Sequence, residues 1–165
     1  MNIDTDAIRR LRDHLLAHHD RQETDATVDS AGERQKEAVL RRADPFAETM
    51  YLVMIADGKP ADVERKALIA AIGILTNSTL GSQDIESMFA RFDANADRNG
   101  AEARLAQIGS RVCVDPDDRE TAFSLAAVVA LADEEVLAHE NQALGWIRQY
   151  FGISQHRAAS ILGSL

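Results

Sequence analysis

Two stretches of the chain carry the same short phrase at the same spacing. Ala56-Asp57-Gly58 is followed by Glu64, and Ala132-Asp133-Glu134 is followed at the same interval by Glu140. Long apolar runs with helical spacing flank both copies, and Ala67-Leu68 after the first matches Ala143-Leu144 after the second. An apolar helix, an acidic break and a second helix make a helix–loop–helix unit. Used twice, that unit commits most of the chain to helices and sets four carboxylates at related positions.

The rest of the sequence agrees with this plan. Ile8, Leu11 and Leu15 give an amphipathic helix from Asp4 to His19, and Asp20 to Ser30 is a polar stretch with almost nothing to bury. Ser30-Ala31-Gly32-Glu33 fits a capping box opening a helix to about Arg42. Asp44-Pro45 is a helix start signal, an acidic N-cap followed by proline at the first helical position. The helix it opens is apolar on most sides and stops near Asp57-Gly58. Pro60 admits a helix to about Leu75, Asn77 to Gly81 a turn, and Ser82 caps a helix to about Phe92. Asn99-Gly100 is a further turn, with a short helix to about Ser110. Asp115-Pro116 repeats the start signal before an apolar helix up to Ala132. Helices from Ala138 to Phe151 and from Ser154 to Leu162 follow, with Gly152 at the C′ position of the first. No alternating pattern reads as a strand. The predicted fold is all-α, a compact helical bundle of two pseudo-repeated helix–loop–helix units.

Composition narrows the function. The 165 residues carry a net charge of −9 and no basic patch that could hold a phosphate backbone, which argues against nucleic acid as a partner. No apolar run reaches the roughly 18 residues of a membrane span, and the N-terminus, with Asp4 and Asp6, lacks the apolar region of a signal peptide. The single cysteine, Cys113, forms no internal disulfide and favours a reducing compartment, so the expected location is cytoplasmic. Its apolar neighbours make it a buried, inert thiol. There is no phosphate-binding glycine loop, no serine-nucleophile motif and no CxxC, so the chain reads as non-enzymatic. Asp57 and Glu64 could in form serve as an acid–base pair, but nothing supplies a substrate.

The repeated acids are the candidate site. Asp57 and Asp133 follow the C-termini of apolar helices, where negative charge is disfavoured by ~0.3–1 kcal/mol. Glu64 and Glu140 fall in the first turn of the next helix, where it is favoured, and in line with the apolar stripe. A Glu there often closes a capping box, yet Ala61 and Leu137, three residues earlier, supply no side-chain acceptor. Two readings stay open: a site for a hard divalent cation such as Ca²⁺ or Mg²⁺, built from Asp57, Glu64, Asp133 and Glu140, or carboxylates that only tie loops to helices.

The doubled helix–Ala-Asp-Gly–Glu–helix phrase in an acidic helical chain resembles the TerB-like tellurite-resistance family. It is also similar to the TerB-like domain at the N-terminus of a membrane-anchored J-domain co-chaperone. The resemblance covers roughly Asp44 to Ile153. It implies an all-helical fold, an acidic surface linked to metal-ion binding, and protein partners in stress-response complexes near the membrane, with peripheral membrane association compatible. The residues that carry it are Asp57, Gly58, Glu64, Asp133 and Glu140. Glu134 stands where the family has a second glycine. On this reading residues 1–43 are an N-terminal helical segment with a polar linker, and residues 44–165 form the TerB-like domain. The alternative function is a structural protein-interaction scaffold without metal. The oligomeric state is left open.

Three further constellations are weaker. Asn95-Ala96-Asp97-Arg98-Asn99-Gly100 imitates half of a calcium loop, but Ala106 stands where the bidentate Glu belongs, so it reads as a polar turn. His14 and His18 share a helix face as solvated side chains. Trp146, Tyr150 and Phe151 read as core.

Overall fold

A computed structural model describes Arg9 and residues 28–56, 58, 61–112, 114–132 and 138–165, with backbone alone at 28–31, 138 and 140. Seven helices account for nearly all of these: α1 (Val28–Met54), α2 (Asp62–Leu75), α3 (Ser82–Asn99), α4 (Ala101–Val112), α5 (Pro116–Ala130), α6 (Ala138–Tyr150) and α7 (Gln155–Leu162). No strand occurs among the described residues. The fold is all-α, as the apolar spacing predicts.

The two most apolar helices form the centre. The C-terminal half of α1 packs along α5 more extensively than any other pair of elements. Ala47, Met50, Leu52 and Val53 on α1 are fully buried, as are Leu125, Ala126, Ala127 and Val129 on α5. The alanines of α5 let the helix axes approach closely. Burying a Leu, Met or Phe here contributes ~1.5–3 kcal/mol relative to exposure, so this pair is the main source of cohesion. The remaining helices pack around it, with α2, α3 and α4 against α1, and α6 and α7 against α5. Trp146 is partly buried against this core and Phe151 fully so, as expected.

Helix ends follow local chemistry where the chain allows it. Asp115 is extended (φ −113°, ψ 125°) and its Oδ1 accepts the Asp117 N–H at 2.9 Å, with Pro116 opening α5. The Ser154 hydroxyl accepts the Arg157 N–H at 3.1 Å and caps α7. Gly152, at φ 69°, ends α6 in a Schellman turn: Ile153 N–H donates to the Arg148 carbonyl at 2.9 Å.

Several boundaries differ from the sequence reading. Asp44-Pro45 starts no helix, because α1 runs through it uninterrupted from Val28 to Met54. The Asp44 carboxylate is engaged sideways by Arg91 of α3 instead of capping a turn. Proline at position 45 removes the bond that would reach the Arg41 carbonyl. The partition at residues 43/44 thus falls inside a continuous helix. Ser30 lies within α1 and is not its cap. Gly81, not Ser82, is the N-cap of α3; the Asp84 carboxylate accepts the Gly81 N–H at 2.9 Å and meets Lys36 at 2.9 Å. Asn95 to Asn99 continue α3 as helix, so the expected polar turn is reduced to Gly100 at φ 78°. The amphipathic stretch Asp4–His19, with His14 and His18, lies outside the described residues apart from Arg9, which is helical. Most of Asp20–Ser30 and Cys113 also lie outside them.

Candidate functional site

The two acidic loops begin alike. After α1, Ile55 N–H donates to the Tyr51 carbonyl at 3.1 Å and Ala56 N–H to Val53 at 3.0 Å. After α5, Leu131 N–H donates to Ala127 at 2.9 Å and Ala132 N–H to Val129 at 3.1 Å. In the first loop Gly58 adopts φ 76°, a left-handed conformation that costs glycine little and other residues more. Its N–H donates to the Ile55 carbonyl at 2.9 Å and turns the chain away from α1. Ala61 then stands extended (φ −73°, ψ 147°) at the N-cap of α2.

Of the four candidate acids, Glu64 is the one whose side chain is described. It sits at the third position of α2 and is 3 % exposed, in line with the buried Leu68 and Ile72. Its Oε2 accepts the Ala61 N–H at 2.7 Å. This is half of a capping box, with the side-chain half missing because Ala61 has no acceptor. The positive end of α2 favours the charge there. Asp57 and Asp133 lie outside the described residues, and Glu140 is described in its backbone only, as part of α6. His139 beside it is exposed. Among the described residues, no three His, Cys, Asp or Glu side chains converge as a metal ion would require. The chemistry of the Glu64 side chain fits a hard cation, because it is an all-oxygen donor.

A second polar cluster runs along one face of α1, and sequence reasoning missed it. Asp44, Glu48 and Tyr51 recur at i, i+4 and i+7. Asp44 pairs with Arg91 of α3, and the Tyr51 hydroxyl donates to Asp93 at 2.5 Å. Glu48, only 1 % exposed, receives Arg104 of α4 as a fork, Nε to Oε1 at 2.5 Å and Nη2 to Oε2 at 2.8 Å. Asn95 of α3 adds a third donor at 3.2 Å, and Arg104 Nη1 reaches Gln107 at 2.8 Å. The Glu48 hydrogen bond holds the Arg104 pKa above its ordinary value. Burial, then the Asp93 hydrogen bond, raise that of Tyr51. Burial raises that of Asp44 against the opposing pull of Arg91. Each of these three side chains has a partner, so the cluster joins three helices. The signal was a Glu inside the apolar run Phe46–Met54, but its partner stands 56 residues away.

Comparison with known proteins bears on the whole domain. A family model described as tellurite resistance protein TerB matches residues 43–162. No curated protein and no solved structure matches the chain.

Proposed function

The chain belongs to the tellurite resistance protein TerB family, and from that membership we propose that it is a non-enzymatic helical module of a tellurite-resistance or stress-response system. In this reading it holds a divalent cation of the Ca²⁺ or Mg²⁺ type through Asp57 and Glu64 and through Asp133 and Glu140. The observation that carries it is the position of Glu64. A carboxylate 3 % exposed, in the first turn of α2 just after the tight Gly58 turn, is an oxygen donor set where the positive helix end favours negative charge. A cation would also offset the charge of Asp57 and Asp133 at helix C-termini. It would contribute charge neutralisation and loop order, with no chemistry of its own. Partners are proteins of a stress-response complex, met in the cytoplasm. No helix among the described residues is long and apolar enough to cross a membrane.

The Ala61 N–H bond favours a second reading, a metal-free interaction scaffold in which Glu64 only caps α2. Isothermal titration calorimetry separates the two. The cation reading predicts saturable heat with Ca²⁺, Mg²⁺ or Mn²⁺, abolished by Asp57→Asn and Glu64→Gln together with the helical circular-dichroism spectrum retained. Heat that survives the double substitution assigns these carboxylates to capping.

A further inference from the structure

α1 and α3 each turn one face to a common groove. On α1 the face is Glu37, Leu40, Arg41 and Asp44, and on α3 it is Asp84, Ser87, Met88 and Arg91. Both sets recur at i, i+3, i+4 and i+7, the spacing that puts helical side chains in one row. Arg111, in the last turn of α4, adds to the lining from a third helix. The groove holds about 590 Å³, a volume in the range of small-molecule sites. Met88 is buried and Leu40 half-buried, so the two helices give it an apolar floor.

Its charges are unevenly matched. Asp44 is held by Arg91, and Asp84 by Lys36 and the Gly81 N–H. Arg41 and Arg111 are exposed, and neither makes an ion pair or a side-chain hydrogen bond among the described residues. Glu37, also exposed, is the acid left unpaired among the described lining residues. With Lys36 counted, the basic groups exceed the acidic ones by one, on a chain that carries −9 overall.

We propose that this groove binds a small organic phosphate monoester, its phosphate between Arg41 and Arg111 and its apolar body on Leu40 and Met88. A carboxylate has two oxygens and is satisfied by one guanidinium fork. A terminal phosphate has three and carries nearly two charges, so it takes donors from two arginines at once. The apolar floor selects an organic ester over the bare ion. The pairing of Asp44 and Asp84 matters as much, since free carboxylates there would repel the ligand. Glu37 does repel it, and holds the affinity below what the two arginines alone would give. The groove lies apart from the acidic loops and needs no cation there.

The test is calorimetric titration of the full chain at low ionic strength with phenyl phosphate, inorganic phosphate and benzoate. Phenyl phosphate should bind saturably with a dissociation constant on the order of 1 mM or below. Inorganic phosphate, which lacks the apolar body, and benzoate, which lacks the third oxygen, should both bind more weakly. Arg41→Gln and Arg111→Gln should each weaken phenyl phosphate binding about tenfold, and Glu37→Gln should strengthen it. Arg98→Gln removes an exposed, unpaired arginine of α3 that does not line the groove, and should leave binding unchanged. All four positions are exposed, so each variant should keep the parent's melting temperature closely. Absence of saturation through tens of millimolar, benzoate or inorganic phosphate binding as tightly as phenyl phosphate, or a loss in the Arg98 variant equal to that in the Arg41 variant would overturn the assignment.

Discussion

Glu48 is the residue whose environment most decides stability. A carboxylate at 1 % exposure is tolerable because Arg104 and Asn95 supply three donors. Removing one partner of a buried pair leaves a stranded charge, which costs ~3–5 kcal/mol, whereas replacing both with apolar groups of similar volume is often neutral. Arg104→Met should therefore lower the urea midpoint severely, and Glu48→Met with Arg104→Met should recover most of the loss. Equal losses in single and double variants would show that the pair itself, not the stranded charge, carries the energy. At this scale the sequence was partly legible. A lone Glu in the run from Phe46 to Met54 marks a buried polar group, but nothing local points to a partner on α4. Glu64 was more legible, because its position at the start of α2 and the absence of an acceptor at Ala61 are both local facts.

Among elements, the two Asp-Pro pairs teach the most. Asp115-Pro116 and Asp44-Pro45 carry the same local signal. One opens α5 with an Asp115 cap, while the other lies inside α1 with Asp44 held by Arg91. Local chemistry offers the start, and packing across α1 and α3 decides whether it is taken. The apolar periods placed α5 and α7 well for the same reason: their starts coincide with side-chain caps at Asp115 and Ser154, as the end of α6 coincides with the Gly152 turn. The Asn95–Asn99 segment misled because Asp97 and Asn99 sit on the exposed face of a helix that Phe89 and Phe92 anchor in the core, while Asn95 turns inward to Glu48. Pro45→Ala should restore one α1 hydrogen bond and stabilise the protein by ~1–3 kcal/mol, read as a higher denaturation midpoint. A loss instead would mean that the half-buried ring packs more tightly than an alanine can. Gly109→Ala should do the reverse. A Cβ there would sit 2.8 Å from the Tyr150 carbonyl oxygen and 3.0 Å from Phe151. Backbone cannot give way easily, so α4 must move off α6, at a cost of ~1–3 kcal/mol by overpacking. A midpoint equal to the parent's would show that the two helices slide apart freely.

Over the whole molecule, charge pairs between distant helices set the response to pH. Glu120 on α5 accepts Arg157 of α7 at 2.6 and 2.7 Å, and that hydrogen bond holds its pKa below the ordinary 4.5. A depressed carboxylate stabilises the fold above its unfolded pKa and loses that contribution as pH falls through the folded value. Glu120→Gln should flatten the acid side of the stability curve below about pH 4.5, by no more than ~1 kcal/mol for so exposed a pair. Asp44 acts oppositely. Burial raises its pKa, so its contribution is full below the unfolded value and is lost as pH rises through the folded one. Asp44→Asn should remove that loss. If both variants follow the parent's pH profile, these pairs do not couple to folding.

On the proposed reading the cation is held by acids that follow α1 and α5 in the chain, and its affinity is a property of the folded state. A ligand that binds only the native state raises its stability by RT ln(1 + [L]/Kd). The direct measurement is the melting temperature of the unmutated protein against increasing Ca²⁺, Mg²⁺, Mn²⁺ and Zn²⁺ at constant ionic strength. A cation site predicts a rise that grows with the logarithm of the concentration of at least one of these ions. A melting temperature that no ion shifts through the millimolar range would contradict it and leave Glu64 as the cap of α2.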